Sequence, residues 1–145
     1  MPSPAETALT VFSNNFNCSQ SVLSAFAAQL GLDEQIALKM ASPFGGGVAR
    51  RGDLCGAVTG ALLALGLARG ADKPARKEEI YRLSQEFMRR FEEKHGTILC
   101  RDLIDCDLSI STGSQAAKDR GVFKTICPGL VSDAVEITQA LIETA

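Results

Sequence analysis

Apolar side chains recur with the 3.6-residue period of an α-helix through most of the chain. The clearest apolar stripe follows Asp53 and ends near Arg69. It contains Leu54, Ala57, Val58, Ala61, Leu62 and Leu65. Leu63 and Leu67 lie off this stripe, so the predicted helix is apolar nearly all round and is expected at the centre of the core. Alternation of apolar and polar residues, which marks strands, never extends beyond a few positions.

Capping residues predict three helix starts in the first part of the chain, at Ser3, Asn17 and Asp33. Glu6 and Gln20 stand three residues after the first two caps, in the arrangement of a capping box. The second helix is predicted to end at Gly31 and the third near residue 40.

The second half of the chain predicts two longer helices. One spans about residues 75–94 and closes at His95-Gly96, and the other begins at Pro128. A short element is predicted between Thr97 and Leu103. Residues 107–123 are polar and are predicted to form a loop, with one helical turn near residues 115–118.

These elements predict an all-α fold with about six to eight helices in a single compact domain over residues 1–145. The 145 residues are 46% apolar and 22% charged, which is typical of a globular protein. The net charge of −2 argues against a nucleic-acid partner. The longest apolar stretch, 54–68, is shorter than the ~20 residues of a membrane span. We therefore expect no membrane insertion and, because no signal peptide is seen, a cytoplasmic location.

The chain has five cysteines but only one histidine. Four of the cysteines fall in the first turn of a predicted helix: Cys18, Cys55, Cys100 and Cys127. Free N–H groups and the helix dipole favour a thiolate there, the form of cysteine that attacks disulfides and binds metals. Cys106 differs, because it lies between Asp105 and Asp107, whose charges disfavour a thiolate.

If these four helix starts converge, they form a site for four thiolates. Such a site suits an iron–sulfur cluster or a zinc ion. Two disulfide-forming pairs are the other interpretation. No cysteine pair has the spacing of a zinc knuckle or a thioredoxin-type motif, so the chemistry stays open at this point.

A glycine-rich segment, residues 43–53, precedes the second of these cysteines. No strand comes before it and no Gly-Lys-Ser/Thr follows, which argues against a phosphate-binding P-loop. A hinge that lets backbone approach the site is the favoured interpretation. The candidate cofactor-binding residues are Gly45, Gly46, Gly47, Arg50 and Gly56. Gly56 and Gly60, four residues apart, also predict close packing between helices.

The order of four motifs resembles the C-GCAxxG-C-C family, whose members are described as redox-active. The motifs are Asn17-Cys18-Ser19-Gln20-Ser21, Cys55-Gly56-Ala57-Val58-Thr59-Gly60-Ala61, Cys100-Arg101-Asp102-Leu103-Ile104 and Phe123-Lys124-Thr125-Ile126-Cys127-Pro128. Leu54 stands where the family pattern has glycine. The resemblance implies that Cys18, Cys55, Cys100 and Cys127 are the family's four cysteines and that Cys106 is additional.

Three hypotheses follow for function. The first is a small redox protein whose four cysteines hold an iron–sulfur cluster for electron transfer. The second is a thiol–disulfide oxidoreductase that uses the same cysteines as redox thiols without metal. The third is a structural or interaction module held together by zinc. The first two imply a redox partner protein, and a homodimer is compatible with the sequence.

Overall fold

The computed structural model describes residues 1–144, and the regular secondary structure in this range is helical, as the sequence predicts. The helices are α1 (Pro4–Ser13), α2 (Cys18–Ala27), α3 (Glu34–Ala41), α4 (Gly56–Arg69), α5 (Lys77–His95), α6 (Cys100–Ile104), α7 (Ser111–Asp119), α8 (Val122–Thr125) and α9 (Cys127–Thr144). Seven of them have eight residues or more, while α6 and α8 have five and four. Residues 1–144 contain no strand, and one isolated antiparallel bridge joins Leu54 to Leu99.

The predicted caps start the first three helices. Ser3 and Asn17 each accept a hydrogen bond from the backbone N–H three residues on, and each capping box is complete. Asp33 accepts a hydrogen bond from the N–H of Ile36 at 3.1 Å. Because these bonds pair N–H groups that have no partner within the helix, they fix where each helix begins.

Helix α4 lies at the centre of the main core. Eight of its fourteen residues are buried, and it packs against α2, α5 and α9. The inner face of α5 supplies Leu83, Phe87 and Phe91, as the sequence predicts. None of the helices within residues 1–144 is both long and apolar enough to cross a membrane.

A second, smaller core lies beneath α6, α7 and α8. Its buried members are Ile104, Cys106, Leu108, Ala117, Val122 and Cys127. Cys18, Phe12 and Ile126 pack against both cores. The seam between the two cores therefore contains the start of α2 and the start of α9.

Two predicted element boundaries are wrong. Asp53 does not cap α4, which begins at Gly56 with Cys55 as its N-cap. The segment predicted as a loop with one turn contains the nine-residue helix α7 and the short α8. Only Ala117 of α7 is buried, so the helix has almost no apolar stripe and gives little periodic signal.

The predicted close packing at Gly60 is confirmed. A Cβ atom added to Gly60 would lie 2.6 Å from the carbonyl oxygen of Ser19 on α2. Gly66, on the exposed side of the same helix, has open space around it. The backbones of α2 and α4 can approach this closely only because residue 60 has no side chain.

We expect Gly60→Ala to lower the free energy of unfolding by about 1–3 kcal/mol, because the added methyl group meets backbone atoms. Gly66→Ala is the matched control on α4 and is expected to raise that free energy by up to about 1 kcal/mol through helix propensity. Urea unfolding of both variants checks this. Equal effects of the two substitutions would contradict the close approach of α2 and α4.

Candidate functional site

Four cysteines line a single open cavity of about 1170 Å³ at the seam between the two cores. Cys18, Cys100 and Cys127 are the first residues of α2, α6 and α9, and Cys55 is the N-cap of α4. The predicted placement of four cysteines at helix starts is therefore confirmed. All five cysteines of the chain are free thiols, and Cys106 does not line the cavity.

A short antiparallel pairing of residues 52–55 with residues 98–101 holds two of these cysteines. The backbone N–H of each cysteine donates to a carbonyl on the opposite segment, at 2.8 Å for Cys55 and 2.7 Å for Cys100. This pairing joins the start of α4 to the start of α6. The sequence contains no alternating pattern that would have revealed it.

The glycine-rich segment forms a left-handed turn against the cavity. All five residues from 46 to 50 have positive φ, between 50° and 71°. Three of them are not glycine: Val48, Ala49 and Arg50. A left-handed conformation costs about 1–2 kcal/mol for each such residue, so the surrounding contacts must impose it.

Close contacts explain why glycine is needed in this wall. A Cβ atom on Gly47 would lie 2.6 Å from Cβ of Cys100, and one on Gly56 would lie 3.0 Å from Cβ of Cys18. The predicted approach of backbone to the cysteines is thus present. All five candidate cofactor-binding residues line the cavity, namely Gly45, Gly46, Gly47, Arg50 and Gly56.

The four thiols are close enough to influence one another in every pairwise combination. Negative charge on any of the other three raises the pKa of Cys18. A charge on Cys127 also raises the pKa of Cys55, and charges on Cys55 and Cys127 raise that of Cys100. Four thiolates at this site would therefore repel one another.

Burial is the main reason that two of the thiols stay protonated. It raises the pKa of Cys55 to about 11, although the backbone N–H groups of Ala57 and Val58 oppose this shift. Burial also raises the pKa of Cys100 to about 12. The helix-start environment, which was expected to favour thiolates, does not outweigh desolvation at these two positions.

The opposite pKa shifts of Cys18 and Cys127 indicate a hydrogen bond in which the Cys18 thiol is the donor to Cys127. The Cys18 thiol stabilises negative charge on Cys127 and lowers the pKa of Cys127. The same interaction, with burial, raises the pKa of Cys18 well above its usual value. The pair therefore favours one thiol and one thiolate, with the charge on Cys127 at the start of the long helix α9.

Cys106 lies in the smaller core rather than at the cavity. The Nη1 atom of Arg120 lies 3.2 Å from its sulfur and also donates to the carbonyl groups of Ile104 and Asp105. The neighbouring Asp107 carboxylate accepts hydrogen bonds from Ser109. His95 does not line the cavity either; it ends α5, and its Nε2 atom lies 3.0 Å from Asp133.

Residues that sequence reasoning missed line the mouth of the cavity. Lys118 and Lys124 come from α7 and α8, and the aromatic rings of Phe16 and Phe123 are exposed beside them. Their only sequence signal was their position next to cysteine motifs. The loop prediction for residues 107–123 hid the two helices that carry the lysines.

The donor set suits a thiolate-bound metal group. Within residues 1–144 the cavity lining contains four cysteines and no histidine, aspartate or glutamate. In the same range, no group of three or more His, Cys, Asp or Glu side chains is arranged to hold a metal ion. The chemistry of the donors thus fits soft-metal binding, while their spacing does not match a single-ion site.

The fold and the cavity define a class of protein, namely helical proteins in which several redox-capable thiols line one cavity. The chain belongs to the C_GCAxxG_C_C family, described as "Putative redox-active protein", whose family model matches residues 16–141. The predicted family resemblance is confirmed. No curated protein and no solved structure shows significant similarity to the chain.

We expect Gly47→Ala to destabilise the protein more than Gly31→Ala does. Both residues have nearly the same positive φ, +71° and +74°, so alanine meets the same backbone penalty at each. Gly31 has open space, whereas an added Cβ at Gly47 meets Cys100 and backbone atoms. Thermal unfolding of both variants measures the difference. Equal loss of stability would show that Gly47 does not support the cysteine site.

The pH dependence of alkylation tests the hydrogen-bonded thiol pair in reduced, chelator-treated protein. Because the pKa of Cys127 is lowered, its thiolate persists to lower pH and reacts with iodoacetamide there. Cys18→Ala removes the donor and is expected to move the midpoint for Cys127 to higher pH. At neutral pH the thiolate is then scarcer, and the alkylation of Cys127 slows about tenfold if its pKa rises by about one.

Cys18→Ser keeps a hydroxyl donor and is the control for that variant, with a smaller expected change in midpoint. Peptide mass spectrometry resolves the labelled cysteine. A change in the plateau rate at high pH without a change in midpoint would indicate altered access, and the proposed hydrogen bond would then be wrong.

Proposed function

We propose that the protein is an electron-transfer protein in which Cys18, Cys55, Cys100 and Cys127 bind an iron–sulfur cluster. The observation that carries this proposal is the convergence of all four thiols on one cavity. A dithiol reaction needs two cysteines, whereas a cluster uses four thiolate ligands. The cluster would supply one-electron chemistry, with a separate redox partner protein as donor or acceptor.

The electrostatics of the thiols supports a cationic occupant. Burial and mutual repulsion keep Cys55 and Cys100 protonated, with pKa values of about 11 and 12. Positively charged iron would offset both effects, because metal binding replaces the protons on the ligands. Four thiols that line one cavity without such a partner gain little from being close together.

The arrangement of the donors argues against a single zinc ion. Zinc needs its donors around one point, and no group within residues 1–144 is arranged in that way. A cluster distributes its thiolates over several iron atoms. An iron–sulfur cluster and a zinc ion would use the same four cysteines, so metal analysis distinguishes them.

The surrounding chain would restrict water and fix the ligands. The backbone pairing at Cys55 and Cys100 holds two ligands on two hydrogen-bonded segments. The left-handed turn covers them from the side of Gly47. Helix starts at Cys18 and Cys127 direct N–H dipoles toward thiolate charge, which tunes the potential of a bound cluster.

Anaerobic purification with iron, acid-labile sulfide and zinc analysis tests this proposal. We expect iron and sulfide in the wild-type protein and the loss of most of both in Cys18→Ser. Cys106→Ser is the matched control and is expected to keep them, because Cys106 lies outside the cavity. Stoichiometric zinc without sulfide, or equal iron loss in both variants, would contradict the cluster.

A second candidate function is thiol–disulfide exchange, favoured by the hydrogen bond between Cys18 and Cys127. The Cys127 thiolate would attack a substrate disulfide, form a mixed disulfide and release one substrate thiol. Cys18 would then displace the second substrate thiol, leaving a Cys18–Cys127 disulfide and a fully reduced substrate. Metal-free wild-type protein with a reversible Cys18–Cys127 crosslink would favour this function over the cluster.

A further inference from the structure

We propose that the mouth of the cysteine cavity binds a small organic anion that has an apolar ring or chain. The proposal concerns the rim rather than the thiols, and it holds whether the thiols bind a cluster or act as a dithiol. Three observations carry it: the charge of the lining, the exposed aromatic rings at the rim and the room in the cavity.

The lining is positively charged in a chain that is acidic overall. The chain has 15 Lys and Arg residues against 17 Asp and Glu. The cavity is lined by Arg50, Lys118 and Lys124, and by no acidic residue within the described part of the chain. None of these three cations forms an ion pair within residues 1–144.

The three cations reach the rim from separate parts of the sequence. Arg50 ends the left-handed turn, Lys118 lies on α7 and Lys124 on α8. Arg50, the last residue of the strained segment 46–50, therefore contributes a positive charge to the cavity lining. Strain of this kind persists where the surrounding structure imposes it, and such positions cluster at functional sites.

Aromatic side chains provide the apolar part of the rim. Phe16 and Phe123 line the cavity and remain 38% and 37% exposed, while Phe12 lines it from α1. A ligand that covered the two exposed rings would bury apolar surface, which is a main source of affinity. Rings beside cations fit a ligand with an apolar body and an anionic group.

The cavity also has room for such a ligand. Its volume of about 1170 Å³ is slightly above the ~300–1,000 Å³ typical of small-molecule sites. Four thiols, or a cluster of a few iron and sulfide atoms, occupy only part of that space. An inorganic anion would leave the aromatic rim uncovered, so an organic anion is the better match.

Two dyes that differ in charge test the ligand class by fluorescence titration. The first, 8-anilinonaphthalene-1-sulfonate, has aromatic rings and a sulfonate, and the second, N-phenyl-1-naphthylamine, has the same rings without the charge. We expect the anionic dye to bind about tenfold more tightly or better, as one charged hydrogen bond predicts. Equal affinities would overturn the proposal, because they would show a purely apolar or partly unfolded surface.

Variants at the rim locate the bound dye. Arg50→Gln and the double variant Lys118→Gln/Lys124→Gln are each expected to weaken the anionic dye about tenfold and the neutral dye little. Lys77→Gln is the matched control, since Lys77 is exposed on α5 away from the cavity. An unchanged affinity in the rim variants, or an equal loss in Lys77→Gln, would overturn the assignment.

A titration of the Cys100→Ser variant with both dyes distinguishes this proposal from the proposed cluster. That variant lacks one proposed ligand but keeps the three rim cations, so binding of the anionic dye is expected to persist. Loss of iron with retained dye binding in this variant would show that the anion site does not depend on the cluster. Equal affinities for the anionic and neutral dyes in both the wild-type protein and the variant would contradict the anion site and would leave the cluster proposal unaffected.

Discussion

The site depends on one short stretch of backbone pairing, in which residues 52–55 meet residues 98–101 in antiparallel fashion. These two segments are more than 40 positions apart, since one precedes α4 and the other follows α5. Their hydrogen bonds place Cys55 at the start of α4 opposite Ile98, and Cys100 at the start of α6 opposite Asp53. The left-handed turn packs onto the same pairing through Gly47. The pairing therefore adds a backbone connection to the side chains that pack against both cores at the cavity.

Local signals in the sequence predicted the starts of α1, α2 and α3, because a cap satisfies N–H groups only three residues away. The same signals placed four cysteines correctly, and periodicity identified the inner faces of α4 and α5. The pairing of residues 52–55 was invisible because it depends on a distant partner. Helix α7 was missed because a single buried residue, Ala117, joins it to the core. Positive φ at Val48 was equally hidden, since a β-branched residue argues locally against a left-handed turn.

The prediction that helix starts favour thiolates is only partly supported, and the reason is a competition between two effects. Dipoles and free N–H groups favour the charge, while burial opposes it. At Cys55 and Cys100 burial dominates, and both pKa values rise. At Cys127 the thiol of Cys18 supplies a direct donor, and the pKa falls. The four cysteines are therefore not equivalent, although their positions at helix starts look alike in the sequence.

The position of the cysteines at the seam has a thermodynamic consequence. Cys55 belongs to the main core, Cys127 to the smaller core, and Cys18 packs against both. Any bond that joins these sulfurs, whether through metal or between sulfurs, also ties the two cores together. A ligand that binds only the folded arrangement stabilises it by mass action. Occupancy of the site and folding stability would then be linked variables in this small protein, and the seam would loosen when a metal group is lost or a disulfide is reduced.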